Sequence, residues 1–226
     1  MLKQLNFIDS VSLTKTQPFI IGIAGGSGAG KTTLCRRICS ESDIGNSILP
    51  YDSYYKDLSL LPFDERCKHN FDHPNAFDNE LFYEHLLLLK QGTPIDVPIY
   101  DYSTHTRSME FTTFYPSEII LVEGIMLFHD SRIRKCCDHK IYLDLEPDIR
   151  FIRRLKRDVK ERGRTVDSVV DQYLASVRPM HNKHVEPSKS YADIVINCIF
   201  TDSAVRQIID YINSIFEVQS CIPKSQ

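Results

Sequence analysis

Apolar residues in this chain fall into short unbroken runs separated by segments with helical spacing. Phe19–Ala24 is apolar, rich in β-branched residues and followed by glycines, the pattern of a strand covered on both faces. Ser47–Tyr51, Glu118–Val122, Lys140–Leu145 and Tyr191–Asn197 read as further strands. Helices are expected over Lys31–Ser40, Asp78–Lys90, Thr165–Val177 and Asp202–Phe216, with another, strongly basic, starting at Glu146-Pro147-Asp148. In Asp78–Lys90 the apolar spacing selects Leu81, Phe82, His85, Leu88 and Leu89. Val97–Tyr102 and Arg107–Tyr115 suggest a hairpin riding on the main sheet, and Asp52–Asn75 carries neither period. A loop of that length inside a compact domain is usually functional. Strands alternating with helices predict an α/β sandwich around a parallel sheet. Residues 18–226 read as one domain after an N-terminal arm, 1–17, without repeats or a dividing linker.

Composition narrows the partners. The 226 residues include 27 basic and 30 acidic side chains, a net charge of −3, so no whole-protein field favours nucleic acid or an anionic membrane. The longest aliphatic runs, Leu86–Leu89 and Ile119–Val122, are far too short to span a bilayer, and Met1–Gln17 lacks the layout of a secretory signal. The seven cysteines are odd in number and include no CxxC, as expected of reduced thiols in a cytoplasmic protein.

The strongest chemical signal is Gly25-Gly26-Ser27-Gly28-Ala29-Gly30-Lys31-Thr32, with Thr33 following. It matches GxxxxGK[ST] and lies between a predicted strand and a predicted helix, the context that separates a phosphate cradle from a chance glycine-rich turn. Glycines allow successive N–H groups to converge on an anion, and the helix adds its positive end. Lys31 would reach the β- and γ-phosphates, and Thr32 would bind Mg²⁺. Glu123, closing the strand Ile119–Val122, is the expected acid of the metal's water shell.

The acceptor side is less sharply marked. Asp52 ends the second strand, where a parallel sheet gathers its ligand-binding loops and where transfer to a hydroxyl needs a proton acceptor; a turn or capping aspartate would look the same. Phe71-Asp72-His73-Pro74 and Tyr100-Asp101-Tyr102-Ser103-Thr104-His105 mix rings with polar groups, as a sugar and a base require and as any wet loop also does. Arg150–Arg164 holds eight Lys or Arg against two acids. Arg150, Arg154 and Arg157 share one helical face, with Ile149, Ile152, Leu155 and Val159 expected toward the core. A solvated charged face would explain such a run, but after a P-loop an arginine lid over the triphosphate is favoured.

Taken in order, these residues resemble the uridine kinase (uridine-cytidine kinase) family. The matching elements are Gly25 to Thr33, Asp52-Ser53-Tyr54-Tyr55, Asn70 to Asp78, Pro98 to Tyr102, His105-Thr106-Arg107, Glu123-Gly124-Ile125, Arg153-Arg154, Arg157-Asp158, Glu161 to Arg164 and Gln172-Tyr173, spanning about Pro18 to Phe216. The resemblance implies a P-loop kinase sandwich with a five-stranded parallel sheet and a small β-hairpin. It implies ATP- or GTP-dependent, Mg²⁺-requiring phosphorylation of the 5′-hydroxyl of uridine and cytidine in pyrimidine salvage, by a homotetramer. Asp52 would be the general base. Asp72, Arg154 and Gln172 would hold the ribose, while Tyr100 and His105 would read the pyrimidine edge with Arg164 nearby. Phe71 and Tyr102 would flank the ring, and Arg157 and Arg162 would meet the phosphates. The arm lies outside the family pattern, and Cys198-Ile199-Phe200 replaces a more polar, glycine-containing turn. Phosphoribulokinase and pantothenate kinase share a P-loop and an acidic base, and a nucleotide-dependent switch would share the P-loop alone. The acceptor motifs argue for a nucleoside.

Overall fold

The computed structural model describes residues 17–197 and 201–221. The N-terminal arm up to residue 16 and the Cys198-Ile199-Phe200 turn lie outside the described residues. Strand β1 (Phe19–Gly25) leads into α1 (Lys31–Glu41), followed by β2 (Asn46–Pro50) and a 3-10 turn over Tyr51–Tyr54. Next come α2 (Phe63–Cys67), α3 (Asn79–Lys90), the strands β3 (Ile95–Asp101) and β4 (Thr106–Phe114), and β5 (Ile119–Gly124). The chain continues through α4 (Ser131–Cys136), β6 (His139–Leu143), α5 (Pro147–Glu161), α6 (Val166–Gln172), a three-residue α7 (Arg178–Met180), β7 (Ile194–Ile196) and α8 (Asp202–Cys221). The helix expected over Thr165–Val177 is α6 and a π turn over Tyr173–Val177, and from Arg178 to Tyr191 the backbone stays helical through π and 3-10 turns that the sequence pattern does not announce.

Five strands form a parallel sheet in the order β2-β5-β1-β6-β7, and β3 and β4 form a separate antiparallel pair, as expected. Every residue of β1 and β5 is buried, which explains why both read as continuous apolar runs. Phe19, Ile21 and Ile23 face a core completed by Leu34 and Ile38 of α1 and Val205 and Ile212 of α8. Ile20 and Ala24 face the opposite core with Tyr51, Tyr54, Phe77, Phe82 and Phe128. Helices thus cover both faces.

Three expectations are corrected. The segment Asp52–Asn75 is not free of helix: it holds α2 and part of two 3-10 turns, too short to leave a sequence period. In α3, Leu88 is half exposed while Leu86 is buried, because the helix presents Phe82, His85, Leu86 and Leu89 inward. His85 tolerates this burial because its Nδ1 pairs with the Tyr54 hydroxyl at 2.8 Å. In α5 the faces are reversed: Arg150, Arg154 and Asp158 are the buried residues, whereas Ile152 is exposed and Ile149, Leu155 and Val159 only half buried. Apolar spacing misleads there because the helix packs its polar face against the phosphate cradle and a cleft rather than against an oily core.

Candidate active site

The loop from Gly25 to Gly30 curls over the N-terminus of α1. Gly28 is in the left-handed region (φ +83°), and a Cβ there would run into the backbone of Arg150, so only glycine lets α5 close against the loop. Ala29 N–H donates to the Gly26 carbonyl at 3.1 Å. The first turn of α1 has neither an acidic side chain nor a side-chain cap, which leaves its amide groups available to an anion. Lys31 is buried and donates to the carbonyls of Gly25 and Gly26 at 3.0 and 3.2 Å. Desolvation lowers its pKa, opposed by the charges of Glu123 and Asp52. Arg150 braces the loop from behind, donating through Nε to the Leu145 carbonyl at 2.8 Å and pairing with the His181 ring at 3.1 Å.

Strands β2 and β5 are neighbours in register Pro50↔Glu123, so their carboxyl ends deliver Asp52 and Glu123 to one place. A Cβ on Gly124 would lie 2.7 Å from that of Tyr51, which measures how closely the two strand ends approach. Thr32 Oγ1 donates to Glu123 Oε1 at 2.7 Å. Asp52 is half buried and its Oδ1 is shut from solvent without a donor. Burial, and then the nearby Glu123, push its carboxyl up to about 6 against the pull of Lys31 and the arginines. No cluster of three or more metal-ligating side chains occurs among the described residues. The two carboxylates and the Thr32 hydroxyl nevertheless suit Mg²⁺, a hard ion that takes few protein oxygens and completes its shell with water and phosphate.

Beyond Asp52 lies an aromatic chamber. Tyr55, buried, meets Phe71 edge-on at 5.7 Å and Tyr100 at 5.1 Å. Phe71 stacks on His105 at 4.6 Å, and Tyr102 stands edge-on to Tyr100 at 5.2 Å. The Tyr100 hydroxyl is buried without a partner, and burial raises its pKa to about 12. His105 occupies the left-handed region (φ 56°) at the turn between β3 and β4, an uncommon conformation that fixes the imidazole against Phe71. Arg107 anchors this hairpin, donating through Nε to the Tyr55 carbonyl at 2.8 Å and pairing with Asp78 at 3.1 Å.

Asp72 closes the floor of the chamber. It is buried, accepts from the Ser176 hydroxyl at 3.0 Å, and has its pKa raised by burial against the opposing charge of Arg154. Arg154 donates to Ser27 Oγ at 3.0 Å and to Gln172 Oε1 at 2.9 Å, linking the cradle to the chamber. Arg164 also holds Gln172, and Arg162 lies over the Tyr102 ring at 5.2 Å.

One cleft of about 1470 Å³ unites these groups. Its wall includes Ser27, Gly28, Gly30, Lys31, Thr32, Thr33, Asp52, Phe71, Asp72, Tyr100, Tyr102, His105, Glu123, Arg154, Arg157, Arg162, Arg164 and Gln172. Gly25, Gly26 and Ala29, also singled out from the sequence, do not line it and form the buried frame of the loop. Unforeseen were Tyr55, Ser176 and Arg36. Tyr55 could have been suspected from its place in Asp52-Ser53-Tyr54-Tyr55, whereas nothing in the sequence marks Ser176. A cleft with an anion cradle, paired carboxylates and an aromatic chamber can hold a triphosphate end to end with a ring-bearing hydroxyl compound.

Residues 20–204 match the Phosphoribulokinase / Uridine kinase family. A uridine kinase from Geobacillus kaustophilus is 55% identical over 181 residues, 80% of this chain and 86% of that one. A uridine kinase from Anoxybacillus flavithermus is 53% identical, covering 80% and 87%. Among solved structures, a possible uridine kinase from Bacillus stearothermophilus aligns with TM-score 0.57 at 20% identity, covering 82% and 91%. The phosphoribulokinase from Rhodobacter spheroides aligns with TM-score 0.59 at 13% identity, covering 80% and 70%. The two structures share the fold with this chain. With the family match covering most of its length, the chain is a P-loop kinase belonging to the Phosphoribulokinase / Uridine kinase family.

Proposed function

We propose that this kinase transfers the γ-phosphoryl group of ATP or GTP to the 5′-hydroxyl of uridine and cytidine, giving UMP and CMP, as a pyrimidine-salvage enzyme of the cytoplasm. The observation that carries the proposal is a single cleft whose wall includes the phosphate cradle, Asp52 and the chamber of Phe71, Tyr100, Tyr102 and His105. A phosphate cradle joined at a carboxylate to rings that carry polar edges suits a nucleoside whose hydroxyl meets the γ-phosphate.

In this reading Asp72, Arg154 and Gln172 hold the ribose hydroxyls. Phe71 and Tyr102 flank the pyrimidine, and Tyr100 and His105 meet its polar edge beside Arg164. The Gly25–Thr33 loop cradles the phosphates, and Lys31 swings from the carbonyls of Gly25 and Gly26 to the β,γ-bridge. Thr32 and Glu123 would hold Mg²⁺ and its water, and the ion supplies charge neutralisation on the phosphates. Asp52, ionised, accepts the proton of the 5′-hydroxyl as its oxygen bonds to the γ-phosphorus and the β,γ-bridging oxygen departs with ADP. Arg157 and Arg162 stabilise the charge spread over the transferring group. Homotetramers are the expected assembly, and the exposed apolar side chains Met109, Phe111 and Tyr115 on and beside β4 offer a surface for self-association.

ADP release from ATP, measured with a panel of uridine, cytidine, thymidine, ribulose 5-phosphate and pantothenate, tests the proposal. Uridine and cytidine should accelerate it by orders of magnitude. Acceleration by ribulose 5-phosphate or pantothenate alone, or by none of the panel, would overturn it.

A further inference from the structure

Asp158 has no part in the chemistry just described, yet its side chain is the most deeply buried carboxylate of the cleft region, with no exposed surface at all. Four guanidinium groups converge on it. Arg157 donates to Oδ1 through Nε at 2.9 Å and approaches it through Nη2 at 2.8 Å. Arg162 lies 3.6 Å from Oδ1, while Arg154 and Arg164 lie 3.5 and 3.9 Å from Oδ2. The backbone of the same residue takes part: after Gly163 turns the chain (φ +63°), Arg164 N–H donates to the Asp158 carbonyl at 3.1 Å.

All four arginines line the cleft, whereas Asp158 does not. It stands behind them. A guanidinium offers five N–H donors in a planar fork, so one edge can hold a carboxylate while the other faces a ligand. Arg154 and Arg164 have further anchors in Ser27, Gln172 and Ser168. Among the described residues, Arg157 forms its side-chain hydrogen bond only with Asp158, and Arg162 adds only its contact with the Tyr102 ring. Without the carboxylate, four like charges would crowd one helix end and spread apart.

We propose that Asp158 is the positioning residue of this kinase's arginine lid: its buried carboxylate aims Arg157 and Arg162 at the transferring phosphoryl group while Arg154 and Arg164 stay with the nucleoside. The inference rests on the nucleoside kinase reading and adds a residue that sets the lid's geometry without touching substrate. Misplacing catalytic groups by about an ångström costs on the order of 10²-fold in rate.

Asp158→Asn, compared with the wild type, supplies the test, because it keeps the volume and removes the charge. Positioning predicts a kcat with uridine reduced roughly 10- to 100-fold. The KM for MgATP should not rise, since the lid gains net positive charge, and Asp158→Glu should recover part of the rate. A carboxylate that only secures the fold predicts kcat per folded molecule within about two-fold of wild type and a lowered thermal midpoint, which would overturn the proposal. A second measurement needs no variant of Asp158. The Arg157 Nε–Hε resonance of the wild-type protein, assigned with Arg157→Lys, should be protected from solvent exchange without ligand and should persist when tripolyphosphate is added. Rapid exchange in the ligand-free protein would refute the positioning role even if Asp158→Asn failed to fold. Absence of uridine-dependent turnover in the wild type would instead sink the nucleoside reading, leaving the resonance to judge Asp158 alone.

Discussion

At Asp52, desolvation and the charge of Glu123 oppose Lys31, Arg162 and Arg157, and the carboxyl ends near 6 rather than near 4. A base must be ionised to accept a proton, so kcat/KM for uridine should fall as pH drops through about 6, and a rate profile should show that acid limb. The same shift has a stability consequence. A carboxyl whose folded pKa is raised favours the folded state below its unfolded pKa, and that contribution is lost as pH rises through about 6. Asp52→Asn should therefore raise the thermal midpoint at pH 7.5 and change it little at pH 4. After solvent screening of this half-buried group, a gain of about 1–2 kcal/mol is expected. A lower midpoint at pH 7.5 would argue against the unfavourable burial. Asp72 makes a separate claim at this scale. If it holds the ribose hydroxyls, 2′-deoxyuridine leaves a buried acceptor unpaired, and kcat/KM should fall by roughly 10²-fold or more relative to uridine. Asp72→Ala should narrow that gap, whereas equal rates in the intact enzyme would remove Asp72 from sugar recognition.

Among the elements, α5 departs furthest from its pattern. Read by hydropathy, Ile149, Ile152, Leu155 and Val159 belong inside. The structure buries Arg150, Arg154 and Asp158 instead, because their partners are the cradle loop, His181, Gln172 and one another. Burial, and next the Arg150 charge, hold the His181 imidazole down to about 4, with Glu186 opposing at 3.3 Å. An imidazole kept neutral in the fold but free to protonate when unfolded supports stability above pH 6.5. That support drains away as pH falls from there toward about 4. Replacing it by His181→Gln should flatten the decline of thermal midpoint over that window; an unchanged slope would mean that His181 does not carry it. The hairpin depends in turn on Arg107. Arg107→Ala should loosen Tyr100 and His105 and raise the KM for uridine severalfold while leaving the KM for MgATP near wild type, as steady-state kinetics would reveal.

Across the whole molecule, what could be read from the sequence tracks how local each signal is. Strands β1 and β5 were legible because burial on both faces makes them continuous apolar runs, and the cradle because its glycines are demanded by backbone conformation. The hairpin was legible from two extended segments around a short turn. Helix α2 and the winding from Arg178 to Tyr191 were not, since helical pieces this short and irregular leave no period. Ser176 and Asp158 escaped for another reason: their significance lies in partners brought together only by folding, Asp72 across 104 positions for the one and a ring of arginines for the other. In the proposed mechanism those partnerships serve a single event at the junction of cradle and chamber. Single-turnover transfer from γ-labelled ATP to uridine, with calorimetric binding of both substrates, examines that event directly in wild type and Asp52→Asn. Uridine and ATP should bind the variant within a few-fold of wild type while the transfer step slows by roughly 10²–10⁴. An Asp52→Asn enzyme that kept most of its single-turnover rate would contradict the account.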